Sequence, residues 1–192
     1  MKVLLYLAKG FETMEASVFI DVMGWAGNDY KMDVEVVTCS KNKTVSSAFD
    51  VPVTVDVMLN EVNVSDYDAL AVPGGFEEYG FYEEAYSDEV STLIKSFHES
   101  DKPVASVCVG ALVLAHAGIL TGKKATTYHL GDGRRQRQLA EYGAIVINEP
   151  VVISDNIITS YCPQTAPDVA FSLLGILVGT EKMQIVKRAM GF

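Results

Sequence analysis

Apolar positions along the chain alternate between two patterns. Val3-Leu4-Leu5-Tyr6-Leu7-Ala8 is an unbroken apolar run that stops at Gly10, the mark of a strand buried on both faces of a parallel sheet. The acidic stretch 12–15, carrying Glu12 and Glu15, then opens a segment in which Phe19, Ile20 and Met23 recur at helical spacing before Gly27. The same order returns: strands over 34–38 and 69–72, a helix with Val90, Leu93, Ile94 and Phe97 at i, i+3, i+4 and i+7, and a strand over 104–107. Helices are expected over 109–117 and 133–142, each closed by a glycine, Gly118 and Gly143. Two hairpin insertions, 47–57 around Asp50 and 151–159 around Ser154-Asp155-Asn156, carry turn residues at their centres. Thr165-Ala166-Pro167-Asp168 reads as a capping-box variant with proline in the first turn, and Phe171, Leu174 and Val178 stripe the helix behind it. Such alternation predicts an α/β fold, a mostly parallel sheet with helices on both faces and small hairpin insertions.

Composition narrows this picture. The 192 residues correspond to about one domain, so 1–192 is read as a single unit. With 49% hydrophobic and 21% charged residues the chain has the makeup of a globular protein. Fifteen Lys and Arg against 25 Asp and Glu leave a net charge of −10, a field that repels phosphate backbones and anionic membranes, so neither nucleic acid nor a membrane is expected as a partner. Cys39, Cys108 and Cys162 offer no close-spaced metal pair and a poor disulfide framework, which points to a reducing, cytoplasmic setting and no metal. The apolar run after Lys2 is too short for the core of a signal peptide. The stretch 109–120, interrupted by His116 and Gly118, falls short of a bilayer span.

Chemistry concentrates at the ends of three expected strands. Ser106-Val107-Cys108-Val109-Gly110 lies between a strand and a helix and has the pattern of a nucleophile elbow, with small residues two before and two after the central side chain. Taken alone, a cysteine in an apolar run reads as a small core hydrophobe; the elbow pattern reverses that reading. A thiol at a helix N-terminus is expected to have a lowered pKa. Pro73-Gly74-Gly75 ends another strand, where it is either a plain turn or a place for backbone amides to approach a ligand. In the second case the amides of Gly75 and Val109 would form an oxyanion hole. Glu12 and Glu15 follow the first strand on the same rim. Carboxylates there ordinarily complement a helix dipole, but Glu15 beside a thiolate would be a like-charge pair sharing a proton.

These residues carry a resemblance. Leu7-Ala8-Lys9-Gly10-Phe11-Glu12-Thr13-Met14-Glu15, Ala71-Val72-Pro73-Gly74-Gly75, Ala105-Ser106-Val107-Cys108-Val109-Gly110, Ala125-Thr126-Thr127 and Ile158-Thr159-Ser160 together resemble the ThiJ/PfpI superfamily, in the branch of its parkinsonism-associated redox protein. The superfamily also includes glyoxalases, deglycases, intracellular proteases or amidases, and isocyanide hydratases. The resemblance spans nearly the whole chain. It implies a flavodoxin-like three-layer sandwich, Cys108 as reactive thiol, Glu15 as its carboxyl partner, and Gly75 and Val109 around the sulfur. It further implies a homodimer, no bound cofactor, and a small carbonyl or amide substrate.

One position departs from the pattern. Many hydrolytic or lyase members carry a histidine directly after the Thr-Thr pair, where this chain has Tyr128, with His129 one residue late. Neighbouring strand residues face opposite ways, so Tyr128 toward the thiol implies His129 away from it unless the strand ends or bulges. Val109 stands where the protease-like branch places a histidine after the cysteine, which argues against protease activity. Tyr128, His129, Gly74 and Glu12 are therefore pocket candidates around Cys108 and Glu15. The expected function is a cysteine-dependent glyoxalase, deglycase or amidase-like enzyme, or alternatively a redox-sensing protein whose Cys108 is oxidised to sulfinic acid. Arg134, Arg135 and Arg137 read as a solvated helix face, and Cys162 as a loop thiol near the site rim.

Overall fold

The computed structural model describes residues 1–192. The first apolar run becomes β1 (Lys2–Tyr6), buried at every position after Lys2. Next comes α1 (Thr13–Gly24), continued by a π-type turn over Trp25–Asp29. Its buried face is Glu15, Ala16, Phe19, Val22 and Met23. Ile20, expected among them, is 45% exposed, because a step of about 100° per residue turns it off the stripe shared by 19, 22 and 23. The chain then forms β2 (Glu35–Ser40), β3 (Thr44–Ser46), β4 (Pro52–Thr54), β5 (Val57–Met58) and β6 (Ala69–Val72). α2 (Phe81–Ala85) and α3 (Asp88–Glu99) lead into β7 (Val104–Ser106) and α4 (Gly110–His116). β8 (Lys124–Ala125), α5 (Arg134–Glu141), β9 (Ile145–Val146), β10 (Val151–Ser154) and β11 (Ile157–Ser160) precede α6 (Ala166–Val178) and α7 (Thr180–Ala189).

Seven strands form the central sheet in the order β10-β11-β7-β6-β1-β2-β5, and only β10 runs antiparallel. The step from β1 to β2 and the step from β6 to β7 go in opposite directions. Right-handed crossovers then place α1 and α3 on opposite faces. α6 packs on α1 and α7 on α6, while α4 lies against α3 and α5 against α4. The result is the expected flavodoxin-like α/β arrangement with one contiguous core of 51 buried residues. β1 and β6 run parallel, but successive strands are added outward from them in opposite directions, so their carboxyl ends open the crevice where such sheets bind ligands.

Several local expectations are corrected. The first hairpin turns at Asp50 but pairs Thr44–Ser46 with Pro52–Thr54, and Val57 belongs to the edge of the main sheet. The second is no insertion: β11 pairs with β7 inside the sheet as well as with β10. The Thr165 capping box does not form. Thr165 Oγ1 instead donates to Cys162 O at 2.7 Å and accepts from Cys162 N at 3.2 Å, and Asp168 meets Lys187 Nζ at 3.2 Å. The sequence pattern does not predict α7, since after the break at Gly179 only Val186 of its mostly polar sequence is buried.

Close packing at the β6–β7 end yields a test. A Cβ added at Gly110 would lie 2.6 Å from the Val72 carbonyl oxygen, which is backbone and cannot swing aside. Gly110→Ala is expected to lower the unfolding free energy by about 1–3 kcal/mol, as overpacking does, measured by urea denaturation; an unchanged midpoint would contradict this packing.

Candidate active site

Cys108 occupies the bend between β7 and α4 with φ +56°, a left-handed conformation that costs a non-glycine residue about 1–3 kcal/mol and persists only where its surroundings hold it. The surroundings here are specific. Cys108 N donates to Ser160 O at 3.1 Å, and its carbonyl accepts from Thr127 Oγ1 at 2.9 Å. The end of β11 and the second threonine of the Thr-Thr pair thus clamp the bend from one side. On the other, the Gly110 backbone sits against Val72, where no side chain fits.

Glu15 has no exposed surface. Gly74 N donates to its Oε2 at 2.6 Å, and a Cβ on Gly74 would stand 2.8 Å from that oxygen, so glycine permits the contact. Oε1 has no protein donor. The carboxyl adjoins the Cys108 thiol and the Glu12 carboxyl. Burial, with the Glu12 charge beside it, pushes the Glu15 pKa up to about 8. Glu12 is raised as well, again by burial. Near neutral pH Glu15 therefore keeps its proton, and its O–H is available to the sulfur.

The thiol does not meet the expectation of a lowered pKa. Burial foremost, and then the Glu15 charge, push it up, while the Val109 N–H facing the sulfur opposes them. The reason is geometric: α4 starts two residues beyond Cys108 and has only seven residues, so its dipole is weak against the loss of solvation.

A cavity of about 540 Å³ opens on the sulfur. Glu12, Gly75, Cys108, Val109 and Tyr128 all line it. The Gly75 N–H has no backbone acceptor, and a Cβ there would strike the Phe81 ring at 2.3 Å. Gly74 lies behind the wall, holding Glu15. His129 does not line the cavity; its ring stacks on Tyr161 with centroids 3.8 Å apart and an interplanar angle of 27°. β8 ends at Ala125, and the irregular segment after it places Tyr128 on the cavity wall and His129 off it, against Tyr161 with Nδ1 buried. A second groove of about 550 Å³, beside α3 and β5, holds no thiol or histidine.

Two wall residues were undervalued in the sequence. Arg135 is no solvated residue: its side chain is 18% exposed, with Nη2 3.0 Å from Glu77 Oε2 and the guanidinium 5.0 Å from the Tyr82 ring centroid. The available signal was its position four residues before Leu139, the buried residue of α5. Cys162 is buried and lines the same cavity as Cys108. Its place after a strand end marks it as a rim residue in the sequence, but its burial in one cavity with Cys108 depends on β11 lying beside β7.

Comparison with known proteins identifies the family and the fold. The model of the DJ-1/PfpI family matches residues 1–175. The chain is 30% identical to protein dj-1beta of Drosophila melanogaster over 187 residues, covering 97% of this chain and 95% of that one. It is 31% identical over 191 residues to protein DJ-1 homolog B of Arabidopsis thaliana, covering 98% of this chain but spanning only 41% of that longer protein. The crystal structure of Drosophila DJ-1beta superposes with a TM-score of 0.85 over 98% of this chain and 96% of that one. A Toxoplasma gondii DJ-1 described as oxidized, 26% identical, gives 0.82 over 98% and 97%.

Burial of Glu15 carries a pH signature. Its folded-state pKa is raised from 4.5 to about 8, so its stabilising contribution is complete below about pH 4.5 and is lost as pH rises through about 8. Glu15→Gln keeps an acceptor for Gly74 N–H and cannot ionise. The melting temperature of the wild type should fall between pH 5 and pH 9 more than that of the variant; parallel curves would mean that Glu15 ionises freely.

Proposed function

The chain belongs to the DJ-1/PfpI family, and from that premise we propose that it is a cysteine-dependent small-molecule enzyme acting on an electrophilic carbonyl. The observation that carries this reading is a fully buried, proton-holding Glu15 against Cys108 at the floor of a cavity. In the first step the fraction of molecules with ionised Glu15 reacts: the carboxylate takes the Cys108 thiol proton as Sγ bonds to the carbonyl carbon. The displaced electron pair collects on oxygen, where the Val109 and Gly75 amides are the available donors. A 2-oxoaldehyde fits this chemistry, because its aldehyde carbon needs no leaving group and one carboxyl can carry a proton between adjacent carbons. An amide is the harder substrate, since its leaving nitrogen must be protonated. Protease activity is not proposed, with Val109 after the cysteine and Tyr128 on the wall.

A second reading follows from the same wall. Tyr128 stands on the wall with a hydroxyl able to donate, while His129 is stacked on Tyr161. Peroxide oxidation of Cys108 needs no imidazole, and Glu15 O–H and Val109 N–H would both donate to oxidised sulfur. An oxidized form of the Toxoplasma gondii DJ-1 is in keeping with this.

Homodimerisation is part of the proposal. Phe49 is 67% exposed at φ +65° and Met14 is 58% exposed, an unfavourable setting for bulky apolar side chains unless a second copy covers them. Ala48 N bonds Phe11 O at 2.8 Å, tying the hairpin to the start of α1. Three unpaired thiols suit a reducing cytoplasm, and the net charge of −10 disfavours nucleic acid and anionic membranes as partners. No helix is long and apolar enough to cross a membrane.

Methylglyoxal turnover by the wild type should fall at least about 100-fold in Cys108→Ser, and by about 10²–10⁴ in Glu15→Gln. Tyr128→His should raise it and His129→Ala should leave it nearly unchanged, all read by steady-state kinetics. Equal turnover by wild type and Cys108→Ser would remove the enzyme reading. For the dimer, Phe49→Asp should convert the species seen by sedimentation equilibrium to monomer, since Asp tolerates positive φ; a wild type that is already monomeric would refute it.

A further inference from the structure

Cys162 stands next to the reactive bend by strand register. β7 and β11 pair in parallel with Val104 opposite Ile157 and Ala105 opposite Ile158. The bond from Cys108 N to Ser160 O, 3.1 Å, continues in register, four residues on, the ladder in which Val104 N donates to Asn156 O at 3.0 Å. It places Tyr161 opposite Cys108, and Cys162 one residue further on. Strands about 4.8 Å apart with a rise of about 3.3 Å per residue put the Cα atoms of Cys108 and Cys162 roughly 6 Å apart, inside the range a disulfide spans.

Register alone would send the two side chains to opposite faces. The left-handed conformation of Cys108 breaks that alternation, and both residues line the one cavity. Cys162 is pinned there, because Thr165 Oγ1 bonds both its N–H and its carbonyl. The remaining thiol, Cys39, lies in β2 with no exposed surface and is not part of the cavity.

We propose that Cys162 is a resolving thiol, which closes a reversible intramolecular disulfide with Cys108 after Cys108 has been oxidised by a hydroperoxide. The proposal rests on the reading of Cys108 as the reactive thiol. The Cys108 sulfur attacks one oxygen of hydrogen peroxide, forming S–O as O–O breaks, and the departing hydroxide takes the thiol proton and leaves as water. The Cys162 sulfur then attacks the sulfenic sulfur; S–S forms, S–O breaks, and the second hydroxide takes the Cys162 proton. Two thiols and one peroxide become one disulfide and two waters. The bond caps the nucleophile, protects it from irreversible oxidation, and is undone by a dithiol reductant.

The test is peroxide treatment of the full-length chain, blocking of free thiols under denaturing non-reducing conditions, and peptide mass mapping. The expected product is a Cys108–Cys162 linked peptide about 2 Da below the sum of its parts, with Cys39 blocked as a free thiol and all three thiols recovered after dithiothreitol. In Cys162→Ser, Cys108 should instead gain about 32 Da as sulfinic acid that dithiothreitol does not reverse. Sulfinic Cys108 beside a freely blocked Cys162 in the wild type overturns the resolving role and leaves Cys108 reactive. No oxidation of Cys108 at all overturns both readings. A Cys162 linkage between two chains, seen on a non-reducing gel, also overturns the intramolecular bond.

Discussion

A carboxyl group held without any contact with solvent, one hydrogen bond from a glycine amide and adjoining a thiol, sets the terms for the rest of the site. Glu15 is on the buried face of α1 rather than its solvent side, so the helix can pack on the sheet only if that carboxyl is neutral or well partnered. The Gly74 amide satisfies one oxygen at 2.6 Å, which requires a residue without Cβ at that turn. The other oxygen has no protein donor, and retention of the proton lowers the cost of leaving it so. In the proposed function stability and reactivity are joined at this point, because the group whose proton lets α1 pack is the group that would exchange a proton with the thiol.

The second constraint is the bend at Cys108. A cysteine at φ +56° is retained against a local preference, and the groups that hold it come from three elements remote in sequence: the end of β11, the segment after β8, and the β6 carbonyl beside Gly110. A scaffold built this way presents the sulfur rigidly to the cavity while depriving it of solvation. The thiol is consequently less acidic than its place before a helix suggests. Its reactivity must come from coupling to Glu15 and from donors aimed at charge that develops during reaction, and not from a standing thiolate population. Oxidation and carbonyl addition would draw on that same arrangement, so the two proposed readings are alternatives in substrate that share their machinery.

The cavity wall adds what the two central residues do not specify. Glu12 links the buried carboxyl to the cavity, since it adjoins Glu15 and also lines the opening. Arg135, paired with Glu77 and lying over Tyr82, closes one side of an otherwise acidic wall. The aromatic group of Phe49, Phe76 and Tyr79, with centroids 5.4 to 6.4 Å apart, connects the hairpin to the same rim. A partner that covered Phe49 would thereby stiffen the mouth of the site.

Strand-turn-helix alternation, the run 3–8, the periodic set Val90, Leu93, Ile94 and Phe97, and the small residues flanking Cys108 were legible in the sequence, because each is a local pattern of period or size. They were sufficient for the α/β class, for the elbow, and for grouping Glu15, Gly75 and Cys108 at neighbouring strand ends. Local pattern misjudged Ile20, the Thr165 cap, α7 and the exposure of Arg135, where packing partners outweigh propensity. It also had no access to the direction of the thiol shift or, beyond a place near the site rim, to the approach of Cys162 to Cys108. Burial depends on everything that surrounds a group, and the approach of Cys162 to Cys108 depends on which strand pairs with which and in what register. Those are long-range contacts, between residues 54 apart in the chain for this pair of cysteines, and only the folded sheet brings them together.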